Sequence, residues 1–363
     1  VVWGGLFHRV GPMAHDVETA MNEDSSADGV SSTVSRHFST KRRTVLQGIA
    51  ALGLSSSVVG TTAARTNDTE RTPDADTPPR RGVSTAIQFY TLRNLPDTVL
   101  DLIRRVGAVD NNGGPGYDAV EFAGLGEASA DEIVDTLERT GLVGGSAHVG
   151  LEALETELET TVETYTQIGV DNLVVPYIDP SRIDTIEKTE TLAERMNAVD
   201  EQLGSDVQLS YHNHDGEFQR LADDRTPLAV LDESLNDGIG FEIDVGWVHT
   251  AGFDPVEVIE TYSDRTHLVH MKDMVDGEFA EIGEGAVDMR AVSAVARTKA
   301  NVEYLIYEHD EPTDPAGSVA TGAGVLSLLD GTKKPGRIEL SEMGPPAYDP
   351  TLDGTDRTGG GNC

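Results

Sequence analysis

The chain has 363 residues, enough for one large barrel or two medium domains, and 38% hydrophobic content supports a packed core over wholesale disorder. Lys and Arg number 27 against 63 Asp and Glu, and this net charge of −36 argues against sequence-blind nucleic-acid binding and against adhesion to anionic lipid heads. The single cysteine, Cys363, excludes an intramolecular disulfide, a Cys-based zinc site and an internal thiol nucleophile. The acid is spread along the chain and only six lysines occur, the composition of a halophilic, salt-adapted protein whose self-repulsion salt would screen.

Taken in chain order, residues 1–40 are Ser-, Asp-, Gly- and Thr-rich without sustained periodicity and are expected to be a disordered leader. Val1 at the start is read as processing or a non-AUG start, with Met13 and Met21 as alternative starts. Residues 41–64 pair Arg42 with Arg43, continue into an apolar run from Val45 to Val59, and end near the small residues Thr62, Ala63 and Ala64. The run falls short of the about 20 apolar residues of a membrane span. The segment resembles a twin-arginine export signal. It implies a protein exported to the cell exterior or surface, with no stable membrane association after processing. Residues 65–82 are expected to be a linker and 331–363 a disordered tail.

Between them, residues 83–330 alternate β-rich runs with longer amphipathic ones. Strands are expected at Ser84–Tyr90, Ala119–Ala123, Gly145–Val149, Asn172–Pro176, Val207–Tyr211, Gly240–Val245, His267–Met271 and Tyr304–Glu308. Helices are expected at Leu95–Ala108, Ala130–Thr140, Leu151–Ile168, Asp184–Leu203, Pro227–Leu235, Pro255–Tyr262, Met289–Thr298 and Ser318–Leu329. Ser129 and the Asp254-Pro255 pair mark helix starts. Eight β–α units in this length predict a single-domain α/β (β/α)8 TIM barrel. An open doubly wound sheet would carry a glycine-rich phosphate loop after its first strand, and none follows Tyr90. The glycine-rich stretch Asn111–Gly116 comes after the first helix and reads as an insertion.

Function in such a barrel collects where the strands end. Seven of the ten histidines lie at strands: His148, His212, His214, His249, His267, His270 and His309, with His267 opening its strand instead of ending it. Asp244, His270 and Glu308 end the sixth, seventh and eighth expected strands. That mix of carboxylate and imidazole suits one divalent ion, Mn²⁺, Zn²⁺, Co²⁺ or Mg²⁺. Lys272, two past His270, is placed to bind a substrate oxygen or stabilise an enediolate. Glu121, His148, His214, Trp247 and His249 are candidates for substrate contact, and Gln88 and Tyr90 for the pocket floor.

Three segments, Gly-Phe-Glu-Ile-Asp244-Val-Gly, His-Leu-Val-His270-Met-Lys-Asp and Ile-Tyr-Glu308-His-Asp, resemble the xylose-isomerase-like superfamily of sugar isomerases and epimerases over residues 83–330. Tyr-His212-Asn-His214-Asp-Gly-Glu217-Phe resembles one branch of it. The resemblance implies one divalent ion held by a Glu, Asp, His, Glu set from strands 5 to 8. Asp244, His270 and Glu308 match it. The strand-5 member is either Glu217, which would supply a third carboxylate, or His212, which stands where many members have the glutamate. Trp247 replaces a histidine common in epimerases.

The resemblance further implies an isomerase or epimerase acting on a small-molecule sugar or keto-sugar through an enediolate. In the family two metal-bound glutamates transfer the proton; here Glu308 would take one role and Glu217, or His212 as a neutral base, the other. A lyase of the inosose-dehydratase kind, or one eliminating an aglycone from an oxidised glycoside, is the alternative. An abasic-site endonuclease shares the barrel but needs more histidines and a basic groove. A non-catalytic sugar-binding barrel is the remaining rival. The sequence carries no signal for oligomeric state.

Overall fold

The computed structural model describes residues 83–111 and 115–329. The expected leader 1–40, export segment 41–64, linker 65–82 and tail 331–363 lie outside the described residues, as do positions 112–114 of the glycine-rich insertion.

The described chain runs β1 (Ser84–Gln88), a 3-10 turn (Phe89–Leu92), α1 (Val99–Asn111), β2 (Ala119–Phe122), α2 (Ala130–Thr140), β3 (Val143–His148), α3 (Leu151–Thr156), α4 (Leu158–Gln167) and β4 (Asn172–Val175). It continues through α5 (Ile186–Asp200), β5 (Gln208–His212), α6 (Pro227–Ser234), β6 (Gly240–Asp244), α7 (Val245–Thr250), α8 (Pro255–Thr261) and β7 (Thr266–Met271). A hairpin of β8 (Asp273–Val275) and β9 (Glu278–Ala280) precedes α9 (Met289–Thr298), β10 (Tyr304–Tyr307) and α10 (Pro315–Leu329). Strands β1 to β7 and β10 close into a barrel in the order β1-β10-β7-β6-β5-β4-β3-β2. All its pairings are parallel. The architecture is the expected (β/α)8 TIM barrel.

Alternation along the strands builds two apolar layers. Ile87, Val120, Leu173, Leu209, Phe241, Ile243, Val269 and Leu305 join the large core cluster with the helices. Ala86, Ala119, Val174, Leu268 and Ile306 form a separate small cluster, the lower plug of the barrel interior. Two residues further up the same strands, on the same side of the pleat, come Gln88, Glu121, His270 and Glu308. The barrel is therefore apolar low in its interior and polar at its C-terminal end.

The expected caps form. Ser129 and Glu132 make a reciprocal capping box on α2, and Asp254 with Pro255 starts α8. Three local features differ from the sequence reading. The expected helix Leu151–Ile168 is two helices, broken at Glu157, whose φ is −133°. Helix α7 starts at once after β6, because Asp244 ends the strand and caps the helix by accepting from the Trp247 amide. The hairpin β8–β9 was not expected, although Asp276-Gly277, with φ of 53° and 82°, is a turn pair suited to it. No helix among the described residues is long and apolar enough to cross a membrane.

Candidate metal centre

His212 and Asp244 end β5 and β6, His270 is the last residue but one of β7, and Glu308 directly follows β10; the four strands are neighbours in the barrel. All four are buried, and each offers one ligand atom within 4.8 Å of the others. Asp244 Oδ2 lies 3.8 Å from His212 Nε2 and 3.9 Å from His270 Nδ1, and His270 Nδ1 lies 2.8 Å from Glu308 Oε2. The other Asp244 oxygen accepts from the Trp247 amide, so the N-cap of α7 holds this carboxylate in place. Asp244 Oδ2 itself is buried, with no hydrogen bond beyond the ion-pair contact to the Lys272 ammonium at 2.9 Å. Two imidazoles and two carboxylates form a donor set that fits a divalent transition ion.

The far nitrogens of both imidazoles are engaged below. His212 Nδ1 bonds Glu242 Oε2 at 2.8 Å, and His270 Nε2 bonds Glu121 Oε2 at 2.7 Å. Glu242 Oε2 also bonds His148 Nε2 at 2.8 Å. Glu121 is held by Gln88 Nε2 and Ser146 Oγ, both at 2.7 Å. A carboxylate accepting from one ring nitrogen would leave the other to ligate an ion once its own proton is given up, so Glu242 and Glu121 set the orientation of His212 and His270. His148, His212, Glu242 and His270 form a second convergent group that shares two members with the first.

The electrostatics follow from this packing. Burial opposes ionisation of Glu242, but the charges of His270 and His148 and two imidazole hydrogen bonds hold its carboxyl well below the usual range. Burial, with the charge of Glu242 beside it, pushes Glu121 up. Burial works against a charged His270, yet Glu242, Glu308 and Glu121 raise it well above the ordinary value. For His212 burial prevails and keeps the ring neutral more readily. Burial would lift Glu308, but Lys272 and His270 bring it well below the carboxylate range, so it stands ionised.

Lys272 is buried above this layer. Its ammonium lies 2.9 Å from Asp244 Oδ2, 2.8 Å from Glu308 Oε2 and 2.9 Å from Asp310 Oδ1. Gly246 makes room for it, because a methyl group there would stand 2.7 Å from Lys272 Cγ. His214 and Trp247 pack with their rings tilted at 38° and centroids 5.4 Å apart, and Tyr177 meets His214 edge-on at 5.2 Å. His214 Nδ1 and Trp247 Nε1 are buried without hydrogen bonds, a pair of polar atoms able to meet substrate hydroxyls.

Not every expected residue reaches the centre. Glu217 is turned away: its oxygens accept from Tyr211 Oη at 2.6 Å and the His214 amide at 2.8 Å, and it belongs to neither convergent group. The strand-5 position in the ligand group is filled by His212. Glu121 is fully buried and bonds His270, while His148 bonds Glu242 and packs against the rings of His212 and His270, so both stand beside the first convergent group without belonging to it. His249 lies on the last turn of α7 and joins neither group. Gln88 is part of the buried support, whereas Tyr90 is 38% exposed in a cleft of about 750 Å³. Sequence reasoning passed over Glu242, Ser146 and Asp310. An acid two residues before Asp244 points to the same side of the strand, and that period was the available signal for Glu242.

A model of the xylose isomerase-like TIM barrel family matches residues 115–328, more than half of the chain. None of the curated proteins compared matches it. Among solved structures, a sugar phosphate isomerase/epimerase from Parabacteroides distasonis is similar at 19% identity and a TM-score of 0.57, over 72% of this chain and 98% of that one. A probable 3-DHS dehydratase from Bacillus anthracis is similar at 12% identity and a TM-score of 0.52, over 67% and 98%. The IOLI protein with a binding zinc atom is similar at 15% identity and a TM-score of 0.50, over 68% and 98%. At these identities the likeness is one of fold.

Proposed function

The chain belongs to the xylose isomerase-like TIM barrel family, and from that premise we propose that it is a divalent-metal-dependent isomerase or epimerase of a sugar or keto-sugar. The observation that carries this reading is the convergence of His212, Asp244, His270 and Glu308, each with a ligand atom within 4.8 Å of the others. These four residues would hold the ion, with Mn²⁺, Zn²⁺, Co²⁺ and Mg²⁺ as the candidates. When bound, it would polarise the sugar carbonyl and acidify the adjacent C–H. Glu308, ionised, takes that proton and returns it. Lys272 supplies positive charge near the developing oxyanion. His214 and Trp247 orient the hydroxyls. Metal analysis and deuterium exchange into a panel of ketoses in D₂O test the reading together. Near-unit metal content with exchange at the carbon beside the carbonyl is expected. Absence of both from protein purified without chelator would overturn it.

A second reading, elimination from a keto-sugar or keto-glycoside, is favoured by one observation. With Glu217 turned toward Tyr211, the ligand group offers one glutamate and a neutral imidazole in place of two carboxylate bases. Elimination can run on a single carboxylate, with Glu308 taking the proton from carbon and returning it to the leaving group. Release of a leaving group in the same ketose assay separates the two.

Export by the twin-arginine route is the companion proposal, supported by Arg42-Arg43 and the weak apolar run after them. Replacing both arginines with lysine is expected to retain the protein inside the cell. Unchanged secretion would overturn this.

A further inference from the structure

Lys272 is among the largest fully buried side chains of the described residues. Its ammonium contacts the same Asp244 and Glu308 oxygens that face His212 and His270. Trp247 and Phe279 wall it in, with ring centroids 5.3 and 5.9 Å from Nζ. An ammonium and a divalent ion drawing on one pair of oxygens repel strongly in so dry a place. The third contact offers the way out. Asp310 belongs to neither convergent group, and its buried Oδ1 has no hydrogen bond beyond the ion-pair contact to Lys272. Three carboxylates and one ammonium leave two negative charges, the charge of one divalent ion.

Resting on the metal-site reading above, we propose that Lys272 is an internal counter-cation for the ligand carboxylates, and that Asp310 takes its ammonium when a divalent ion occupies Asp244 and Glu308. Asp310 is then a positioning residue that sets metal affinity from outside the ligand set. The lysine keeps Asp244 and Glu308 from repelling each other in the metal-free protein and yields to the ion with a short side-chain movement. Without Asp310 the ammonium has no second anion within the walled pocket, and it stays in competition with the ion.

The test is Mn²⁺ titration calorimetry on chelator-stripped protein, with thermal unfolding measured in chelator and in Mn²⁺. Asp310→Asn is expected to weaken Mn²⁺ binding about 10- to 100-fold, the usual range for a residue supporting ligands. Asp310→Glu, which keeps the charge, restores most of it. Lys272→Met tightens Mn²⁺ binding and lowers the melting temperature of the metal-free protein more than that of the loaded one. In the Lys272→Met background the Asp310→Asn penalty shrinks at least about tenfold, because the two residues act through each other. An equal penalty in both backgrounds, or no tightening in Lys272→Met, overturns this proposal alone. A wild-type protein that binds no Mn²⁺ overturns it together with the metal-site reading.

Discussion

Glu308 is held ionised by Lys272 and His270 against the cost of burial, and its Oε2 faces both of them. Glu308→Gln keeps the shape and one ligand oxygen but removes the base. The variant is expected to retain metal at weaker affinity and to lose solvent exchange at the substrate carbon by about 10²–10⁴-fold. Exchange at the wild-type rate would leave a binding role only. The two strand-5 candidates separate just as plainly. His212 lies 3.8 Å from Asp244 Oδ2 and is fastened by Glu242, whereas both oxygens of Glu217 are engaged elsewhere. His212→Ala is therefore expected to lose metal. Glu217→Gln should keep it, at a stability cost of about 1–3 kcal/mol for the disturbed buried hydrogen bonds. Metal content and melting temperature of the two variants check this, and the reverse pattern would return the ligand role to Glu217.

At the scale of elements, the short hairpin β8–β9 borders the centre because Asp273 anchors the chain that follows it. The buried Asp273 carboxylate accepts from the amides of Met274, Gly283, Gly285 and Val287 at 2.8–3.1 Å. The hairpin in turn sets Phe279 against Trp247 at 5.6 Å, edge to face. Asp273→Ala strands these amides and is expected to destabilise the protein by about 2–3 kcal/mol. Amide hydrogen exchange should rise first between residues 276 and 287. An unchanged exchange pattern there would show that the loop is held by packing alone. The break at Glu157 and the start of α7 at Asp244 have the same character: one residue serves two neighbouring elements.

For the whole molecule, the charge of −36 is the dominant long-range force. The screening length falls from about 10 Å at 0.1 M salt to about 3 Å at 1 M, so repulsion between surface carboxylates fades over that range while buried pairs feel little of it. On the proposal that this acidic composition is a salt adaptation, the protein is expected to gain melting temperature steadily with KCl, well beyond the point where ordinary surface pairs weaken. Thermal unfolding with KCl as the only variable checks this. A flat or falling curve would remove the salt-adaptation reading.

The sequence by itself determined the barrel and three of the four convergent residues. Eight strand–helix periods with no glycine-rich phosphate loop after the first strand point to a closed parallel sheet, and parallel strands bring all their C-terminal ends to one face. Asp244, His270 and Glu308 could be placed together without coordinates because that rule acts on each strand separately. The Ser129 and Asp254 caps were legible for the same reason, since their partners lie within four residues. Only the tertiary structure placed His212, and not Glu217, in the convergent group, because the two are five residues apart and the turn between them sends one inward and the other back to Tyr211. It also decided the support beneath, where Glu121 meets His270 across 149 residues of chain. Such contacts depend on barrel closure and on which side of the pleat each side chain leaves, and no local spacing encodes a distance between strands.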